Sequence, residues 1–211
     1  FAVRTLSREG CGVCVEFCPV KAIEFPEELC GSLYESETRF GPMTHAALKP
    51  GAGNSGKLVS KVRERAREVV RKLGRDLIIT DGPPGIGCPV IASMTSANFA
   101  LIFTEPTLSG WHDLVRVAKL AEHFDIPIGV CINKYDINEL VAGQIERDVR
   151  ALSSAIFVSK IRYDNVATKA QIDGRTIVEH SCVGAAEDIG RLWKKIEEMI
   201  LKYHHIGVEK K

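Results

Sequence analysis

The chain has 211 residues, of which 45% are hydrophobic and 26% are charged, and this near-average globular composition excludes disorder as its main state. Its 28 basic and 27 acidic residues give a net charge of +1, which argues against general binding to nucleic acid. No apolar run reaches the roughly 18 to 20 residues that span a bilayer, so the sequence predicts a cytoplasmic protein without a membrane span.

The first 30 residues are unusually rich in thiols. Four of the seven cysteines lie there, namely Cys11, Cys14, Cys18 and Cys30. The spacing Cys-x2-Cys-x3-Cys-Pro matches the end of the bacterial ferredoxin pattern, whose thiolates hold 4Fe-4S clusters, although an arginine stands where the full pattern has one more cysteine. We therefore predict that Cys11, Cys14 and Cys18 ligate an iron-sulfur cluster. Structural zinc or an empty site are the alternatives, and Cys30 is a candidate fourth thiolate.

A basic, amphipathic segment follows the cysteines. Two short strand-like runs, 22–25 and 33–39, precede it. Within 57–75, apolar residues recur at helical spacing among eight basic and two acidic residues, which predicts a helix with a solvated basic face; an acidic partner or nucleic acid on that face is the alternative. The run 51–57 fits Gly-x4-Gly-Lys, but Leu58 replaces the hydroxyl residue that binds Mg²⁺ in phosphate loops. We expect Asn54 or Ser55 to cap the helix instead.

From about residue 75 onward, apolar runs alternate with amphipathic helical stretches. The strand-like runs are 77–80, 99–104, 128–132 and 156–161. The helical stripes lie within 114–124 and 189–203, and we expect Ser109 to cap the first of these helices. This alternation predicts an α/β fold with a doubly wound, mostly parallel sheet. Three scattered cysteines are expected to be small core residues, namely Cys88, Cys131 and Cys182.

The first strand-like run of this region ends in a carboxylate and a glycine-proline loop. Asp81 stands where a Walker B-type acid would hold Mg²⁺ in an ATPase. Gly82, Pro83, Gly85 and Gly87 form the following loop, in which glycines leave backbone N–H groups free to approach a γ-phosphate and proline stiffens the turn. The pattern predicts a nucleotide-sensing switch loop.

The third run ends in a second loop with binding character. Asn133, Lys134, Tyr135 and Asp136 resemble a purine-recognition loop, in which the amide and the carboxylate pair with the base edge and the lysine stem lies beside it. Parallel strands bring their carboxyl ends to one edge of a sheet, where α/β proteins bind ligands. We therefore predict that Asp81 and Asn133 contact opposite ends of one nucleotide.

Five segments together resemble the MinD-superfamily P-loop ATPases that carry an inserted ferredoxin domain. They are 11–23, 35–42, 54–59, 81–93 and 131–134. The resemblance implies a MinD-like P-loop fold with a small ferredoxin-like, cysteine-rich insert at its N-terminal end. On this basis, we expect a remnant of the insert in 1–33 and a nucleotide-binding domain in 34–211. The second domain is expected to be incomplete at its N-terminal side, because the Walker A phosphate loop of the family would precede Phe1.

The resemblance also implies a function and assigns roles by position. Asp81 would be the catalytic, Mg²⁺-linked acid, the loop 82–87 the switch, and Asn133 the base contact, while Cys11, Cys14 and Cys18 would hold the cluster. Such proteins are ATPases that bind ATP with Mg²⁺, form homodimers and act on redox or iron-sulfur client proteins. We therefore expect cluster transfer, cluster assembly or ATP-linked electron transfer.

Two other functions fit parts of the sequence. A non-catalytic iron-sulfur scaffold or electron-transfer protein would need the cysteines but no nucleotide hydrolysis. A GTPase would use the loop 133–136 for guanine. Without the N–H cradle of a Walker A loop, we expect this chain alone to hydrolyse ATP poorly, and to be a fragment or to complete its fold with another polypeptide.

Overall fold

A computed structural model describes residues 12–26, 29–50, 52 and 56–207, with side chains described as far as residue 201. The chain divides into two compact units, Phe1–Thr95 and Ser96–Lys211. In the described part of both units, no helix is long and apolar enough to cross a membrane.

In its described residues, the first unit combines a β-hairpin with three helices. Its elements are α1 (Val13–Glu16), β1 (Gly31–Thr38), β2 (Gly41–Leu48), α2 (Gly56–Leu73) and α3 (Cys88–Met94). Strands β1 and β2 pair antiparallel. The Thr38 hydroxyl closes their tight turn by donating to the carbonyl oxygen of Gly41 at 2.7 Å. The turn needs glycine there, because Gly41 has a φ of 121°. The predicted strand at 33–39 is therefore confirmed as β1, whereas 22–25 is not a strand.

Helix α2 confirms the predicted amphipathic helix and connects the hairpin to α3. Its Arg63 guanidinium donates to the carbonyl oxygen of Ala92 at 2.7 Å and to that of Thr95, which satisfies carbonyl groups at the end of α3. On the hairpin side, Arg65 forms an ion pair with Glu35. The basic face thus contributes to packing within this unit. The predicted caps Asn54 and Ser55 lie outside the described residues.

The predicted strand 77–80 is wrong, because this segment has no regular secondary structure. The side chains of Leu77, Ile78 and Ile79 are 46%, 39% and 76% exposed. A parallel strand buried on both faces needs hydrogen-bonded neighbours, and no described strand pairs with this segment. Apolar composition alone therefore did not establish a strand here.

The second unit is built on a parallel sheet of three strands in the order β3-β4-β5. The strands are β3 (Ala100–Thr104), β4 (Ile128–Asn133) and β5 (Ala155–Ile161). The helices are α4 (Leu108–His123), α5 (Glu139–Arg150), α6 (Val166–Ile172), α7 (Ile177–His180) and α8 (Ala185–Gly207), and a 3-10 turn spans Tyr135–Ile137. The three strands agree with the remaining predicted runs to within one residue at each end. An α/β fold with a parallel sheet is confirmed.

Strand β4 is the centre of the core because its side chains are buried on both faces. Ile128, Val130, Cys131 and Ile132 are all fully buried. Cys131 packs with Leu192 of α8, so its neighbours Val130 and Ile132 face the opposite side of the sheet by the alternation of strand side chains. Both faces of the sheet are therefore covered at β4.

The structure corrects three predictions about single residues. The cap of α4 is Thr107, whose side chain accepts from the Gly110 N–H at 2.9 Å, and not Ser109, which lies inside the helix. Cys131 is a core residue as predicted, and burial raises the pKa of its thiol to about 12. Cys88 and Cys182 are exposed, so the prediction that they are core residues is wrong.

Candidate functional site

Polar side chains gather where the parallel strands of the second unit end. Glu105 follows β3, and Asn133, at the end of β4, is followed by Lys134. The Lys134 ammonium forms an ion pair with the Glu105 carboxylate, with 2.7 Å between Nζ and Oε1, and this bond raises the pKa of Lys134. Lys134 has a φ of 54°, the left-handed conformation that turns the chain sharply after the strand. The two loops are thereby joined at one edge of the sheet.

The loop after β4 is also tied to the loop after β5. The Asp136 carboxylate accepts a hydrogen bond from the backbone N–H of Tyr163, with 2.7 Å between Oδ1 and N. One of its oxygens is therefore engaged within the protein. A carboxylate has about four acceptor sites, so this contact holds Asp136 in place and leaves acceptor sites for the N–H groups of a guanine base, as the GTPase alternative requires.

The loop after β5 is bound to α8 through Arg162 and Asp188. Arg162 donates through Nε and Nη2 to the two oxygens of Asp188, at 2.7 and 2.9 Å, and its backbone N–H donates to Oδ2 at 3.1 Å. Asp188 is buried, and its hydrogen bonds from Arg162 lower its pKa to about 2. Such a two-point contact fixes the direction of the chain as it leaves β5.

Asp164 also fixes the loop after β5. Asp164 accepts from the backbone N–H groups of Val166 at 2.9 Å and of Ala185 at 3.1 Å, and these bonds lower its pKa. A Cβ at Gly184 would lie 2.3 Å from Asp164 Oδ2, so only glycine fits beside this carboxylate. The segment that faces the loop after β4 is thus fixed by Asp136, Asp164 and Asp188.

The predicted phosphate end lies in the first unit. Asp81 and Gly82 are exposed, so the carboxylate is accessible to a hydrated cation. Gly85 has a φ of 89°, a turn that favours glycine, and Gly87 precedes the first residue of α3. Lys134 and Asp136 therefore meet other site residues within the second unit, whereas Asp81, Gly82, Pro83, Gly85 and Gly87 form a separate loop. That Asp81 and Asn133 contact one nucleotide remains a prediction.

The cysteine segment is described in part. Cys18 Sγ accepts from the backbone N–H of Ala22 at 3.4 Å, and this bond, with further N–H groups of residues 20 to 23, lowers the pKa of the thiol. Cys14 and Cys30 are exposed, and Cys11 lies outside the described residues. Among the described residues, no three His, Cys, Asp or Glu side chains are grouped to hold a metal ion.

Sequence reasoning missed Arg162, Asp164 and Asp188 as determinants of this site. Their position in the sequence indicates a role for two of them, because Arg162 and Asp164 lie in the loop after an apolar strand, where α/β sheets bind ligands. No local pattern marks Asp188, which is 26 residues away from its partner Arg162.

Comparison with known proteins bears on the fold. No family model matches the chain. It is similar to the cell division ATPase MinD of Pyrococcus furiosus, with a TM-score of 0.56 and 19% identity over 72% of this chain and 63% of that chain. The predicted MinD-like α/β fold is therefore supported as a fold.

Two proteins of Methanocaldococcus jannaschii, both named as uncharacterized, are similar in sequence. One is 32% identical over 110 residues, which are 52% of this chain and 38% of that protein. The other is 27% identical over 121 residues, which are 57% of this chain and 44% of that protein. The matched part of the chain thus spans about two fifths of the length of these relatives.

Proposed function

We propose that this chain is part of a MinD-like P-loop ATPase that binds ATP with Mg²⁺ and an iron-sulfur cluster, and that acts in cluster transfer, cluster assembly or ATP-linked electron transfer. Nucleotide binding is best supported by the loops after β3, β4 and β5, which are joined at the carboxyl edge of the sheet by the Lys134–Glu105 ion pair and the bond from the Tyr163 N–H to Asp136. The fold that carries them is similar to that of an ATPase. This edge is where open α/β sheets bind their ligands.

The loop after β4 would bind the base. Asn133 is half-buried at the end of β4, and the neighbouring Lys134 and Asp136 are held by Glu105 and by the Tyr163 N–H. A recognition group works best when its surroundings are fixed before the ligand arrives, since less conformational entropy is then lost on binding. The carboxamide of Asn133 can both donate to and accept from a purine edge.

The loop after Asp81 would respond to the γ-phosphate. The exposed carboxylate of Asp81 fits a hard cation such as Mg²⁺, which prefers oxygen ligands and keeps several of its waters. When bound, Mg²⁺ neutralises charge on the phosphates. Gly82, Gly85 and Gly87 leave the backbone N–H groups of the loop accessible to phosphate oxygens, and α3 follows directly. A movement of this loop could thus reach α3 and, through Arg63, α2.

The iron-sulfur part of the proposal is supported by the surroundings of Cys18. A cluster ligand must be a thiolate, and backbone N–H groups that point at the sulfur stabilise this charged form. The described residues supply part of the ligand set that a four-iron cluster needs. Cys14 and Cys18 would act with Cys11, and a fourth thiolate would come from Cys30 or from a segment outside this chain.

A nucleotide titration tests the base contact. Binding of a fluorescent ATP analogue to the full-length protein is measured with Mg²⁺ for the wild type and for Asn133→Ala, with Asn98→Ala as the matched control. Asn98 is exposed and precedes β3, at the opposite end of the strands. We expect Asn133→Ala to weaken binding by about tenfold, the loss of roughly one hydrogen bond, and Asn98→Ala to leave it unchanged.

The same titration tests the metal-linked acid and the choice of nucleotide. Asp81→Asn should abolish the effect of Mg²⁺ on affinity, whereas Asp76→Asn, an exposed aspartate before the apolar run, should retain it. ATP binding more tightly than GTP would support the proposal, and the reverse preference would support the GTPase alternative. A protein that binds a cluster but no nucleotide would instead be a scaffold.

Anaerobic reconstitution tests the cluster separately. Wild-type protein should show the broad visible absorbance of an iron-sulfur cluster after incubation with iron and sulfide, and Cys18→Ser should lose it. Cys182→Ser is the control, since Cys182 is an exposed thiol of the second unit. Equal absorbance in wild type and Cys18→Ser would rule out Cys18 as a ligand.

A further inference from the structure

A cleft of about 350 Å³ lies along β5, between α5 and α8; it borders the proposed base-binding loop at Tyr135 and the loop after β5 at Arg162, but the proposed function does not use its cationic wall. Its volume falls within the range of small-molecule sites. It is lined by five cationic side chains, namely Arg150, Lys160, Arg162, Arg191 and Lys195. Among the described residues, two carboxylates, Glu146 and Asp188, line it with them, and a third, Glu187, pairs with Arg191 at 3.6 Å, so the cations exceed the carboxylates by two.

The floor of the cleft is the outer edge of β5, because the order β3-β4-β5 leaves that edge unpaired among the described strands. Side chains of α8 cover part of this edge. Lys195 Nζ donates to the carbonyl oxygen of Val158 at 2.8 Å, and Asp188 accepts from the Arg162 N–H. An additional β-strand would have to displace both contacts, so the edge does not favour an extended peptide.

Each carboxylate of the cleft is shared between two cations. Glu146 accepts from Arg150 at 2.7 Å and from Lys160 at 2.8 Å, and these bonds lower its pKa. Asp188 is bound in the same way by Arg162 and Arg191. The Glu146 group therefore keeps one excess positive charge, which an additional anion would balance, whereas Glu187, 3.6 Å from Arg191, balances the Asp188 group.

Lys195 supplies the second excess charge. Among the described residues it bonds the neutral carbonyl of Val158, and its ammonium lies 5.7 Å from the centre of the Phe157 ring, but it has no carboxylate partner. An ammonium that is half-buried beside neutral groups gains more from a nearby anion than a fully hydrated one does.

We propose that this cleft is a binding site for a small phosphate-bearing molecule. The cations approach from three directions: Arg150 from α5, Lys160 from β5, and Arg191 with Lys195 from α8. A tetrahedral phosphate presents oxygens to three sides at once, whereas a planar carboxylate presents two. The Tyr135 ring, 5.5 Å from Lys160 Nζ, adds an aromatic wall for the organic part of such a ligand.

Calorimetric titration of the full chain at low salt tests the site, with pyrophosphate and inorganic phosphate as probes and citrate as a carboxylate of similar charge. We expect saturable binding of pyrophosphate or of phosphate. Lys160→Gln and Arg150→Gln should each weaken it about fivefold or more, the effect of removing one nearby charge. Arg150 is 67% exposed, so its replacement leaves the fold intact, as circular dichroism should verify.

The control is Arg116→Gln, which makes the same change of charge on α4, outside the cleft. It should change the affinity by less than twofold. Tighter binding of pyrophosphate than of phosphate would identify a diphosphate ligand, and the reverse a monophosphate; both support the site. Absence of saturable binding, an equal loss in Arg116→Gln, or equally tight binding of citrate would overturn the proposal.

Discussion

Replacement of Asp188 by asparagine tests how firmly the loop after β5 is fixed. The substitution keeps the size of the side chain but removes the charge that binds Arg162 at 2.7 and 2.9 Å. The pKa of Asp188 is lowered from 3.8 to about 2, and the side chain is 5% exposed, so solvent screens its interactions only weakly. By linkage, a shift of this size corresponds to about 2 kcal/mol of folding free energy at neutral pH.

The stabilisation by Asp188 should depend on pH in a definite direction. A carboxylate whose pKa is depressed on folding stabilises the protein above its unfolded pKa and loses that contribution as the pH falls through its folded pKa. The difference in unfolding free energy between wild type and Asp188→Asn should therefore be about 2 kcal/mol at pH 7 and about half as large near pH 3.

Urea denaturation followed by circular dichroism at several pH values measures this difference. Glu187→Gln is the matched control, because Glu187 is 51% exposed and its contact with Arg191 is a surface pair at 3.6 Å, worth about 0.5 kcal/mol or less. A difference below about 0.5 kcal/mol for Asp188→Asn at pH 7, or one that does not change with pH, would refute the reasoning.

Two further predictions concern the second unit. Gly184→Ala should destabilise the protein by about 2 kcal/mol or more in thermal or urea unfolding, because the φ of Gly184 is +68° and the new Cβ would lie 2.3 Å from Asp164 Oδ2. The control is Gly174→Ala, which should cost only about 1 kcal/mol, because Gly174 has a similar φ of +63° but a Cβ there would meet no atom within 4 Å. In the native protein at pH 8, a thiol reagent should modify the exposed Cys88 and Cys182 within minutes, whereas Cys131, whose pKa is raised to about 12, should react only on unfolding. Similar rates for all three thiols by mass spectrometry, or equal costs for the two glycine variants, would contradict these expectations.

The sequence predicts those parts of the fold in which apolar residues follow a strand-like or helical pattern over a whole element. β4 is a continuous apolar run, as a strand buried on both faces requires, and the stripes of α4 and α8 repeat with the helical period, so the sequence predicts the parallel sheet of the second unit. The run 77–80 carries the same signal but is not a strand. Its composition indicates burial, whereas a strand also requires partners, which no local pattern specifies.

The site was predictable only in its local components. Asn133 and Asp136 are predicted site residues from their position after β4, but the contact that fixes Asp136 joins residues that are far apart in sequence. The bond between Asp136 and Tyr163 spans 27 residues. Short-range choices also failed, since Thr107 and Ser109 are both good caps and only the placement of the Gly110 N–H distinguishes them.

Photolabelling tests the central claim most directly, because it reports where the base of the nucleotide lies. The full-length protein is irradiated with 8-azido-ATP and Mg²⁺, with and without excess ATP, and labelled peptides are identified by mass spectrometry. The account predicts ATP-protected labelling in peptides that contain the loop 133–136 or the loop 162–166. Labelling confined to other parts of the protein, or labelling that ATP does not prevent, would contradict it.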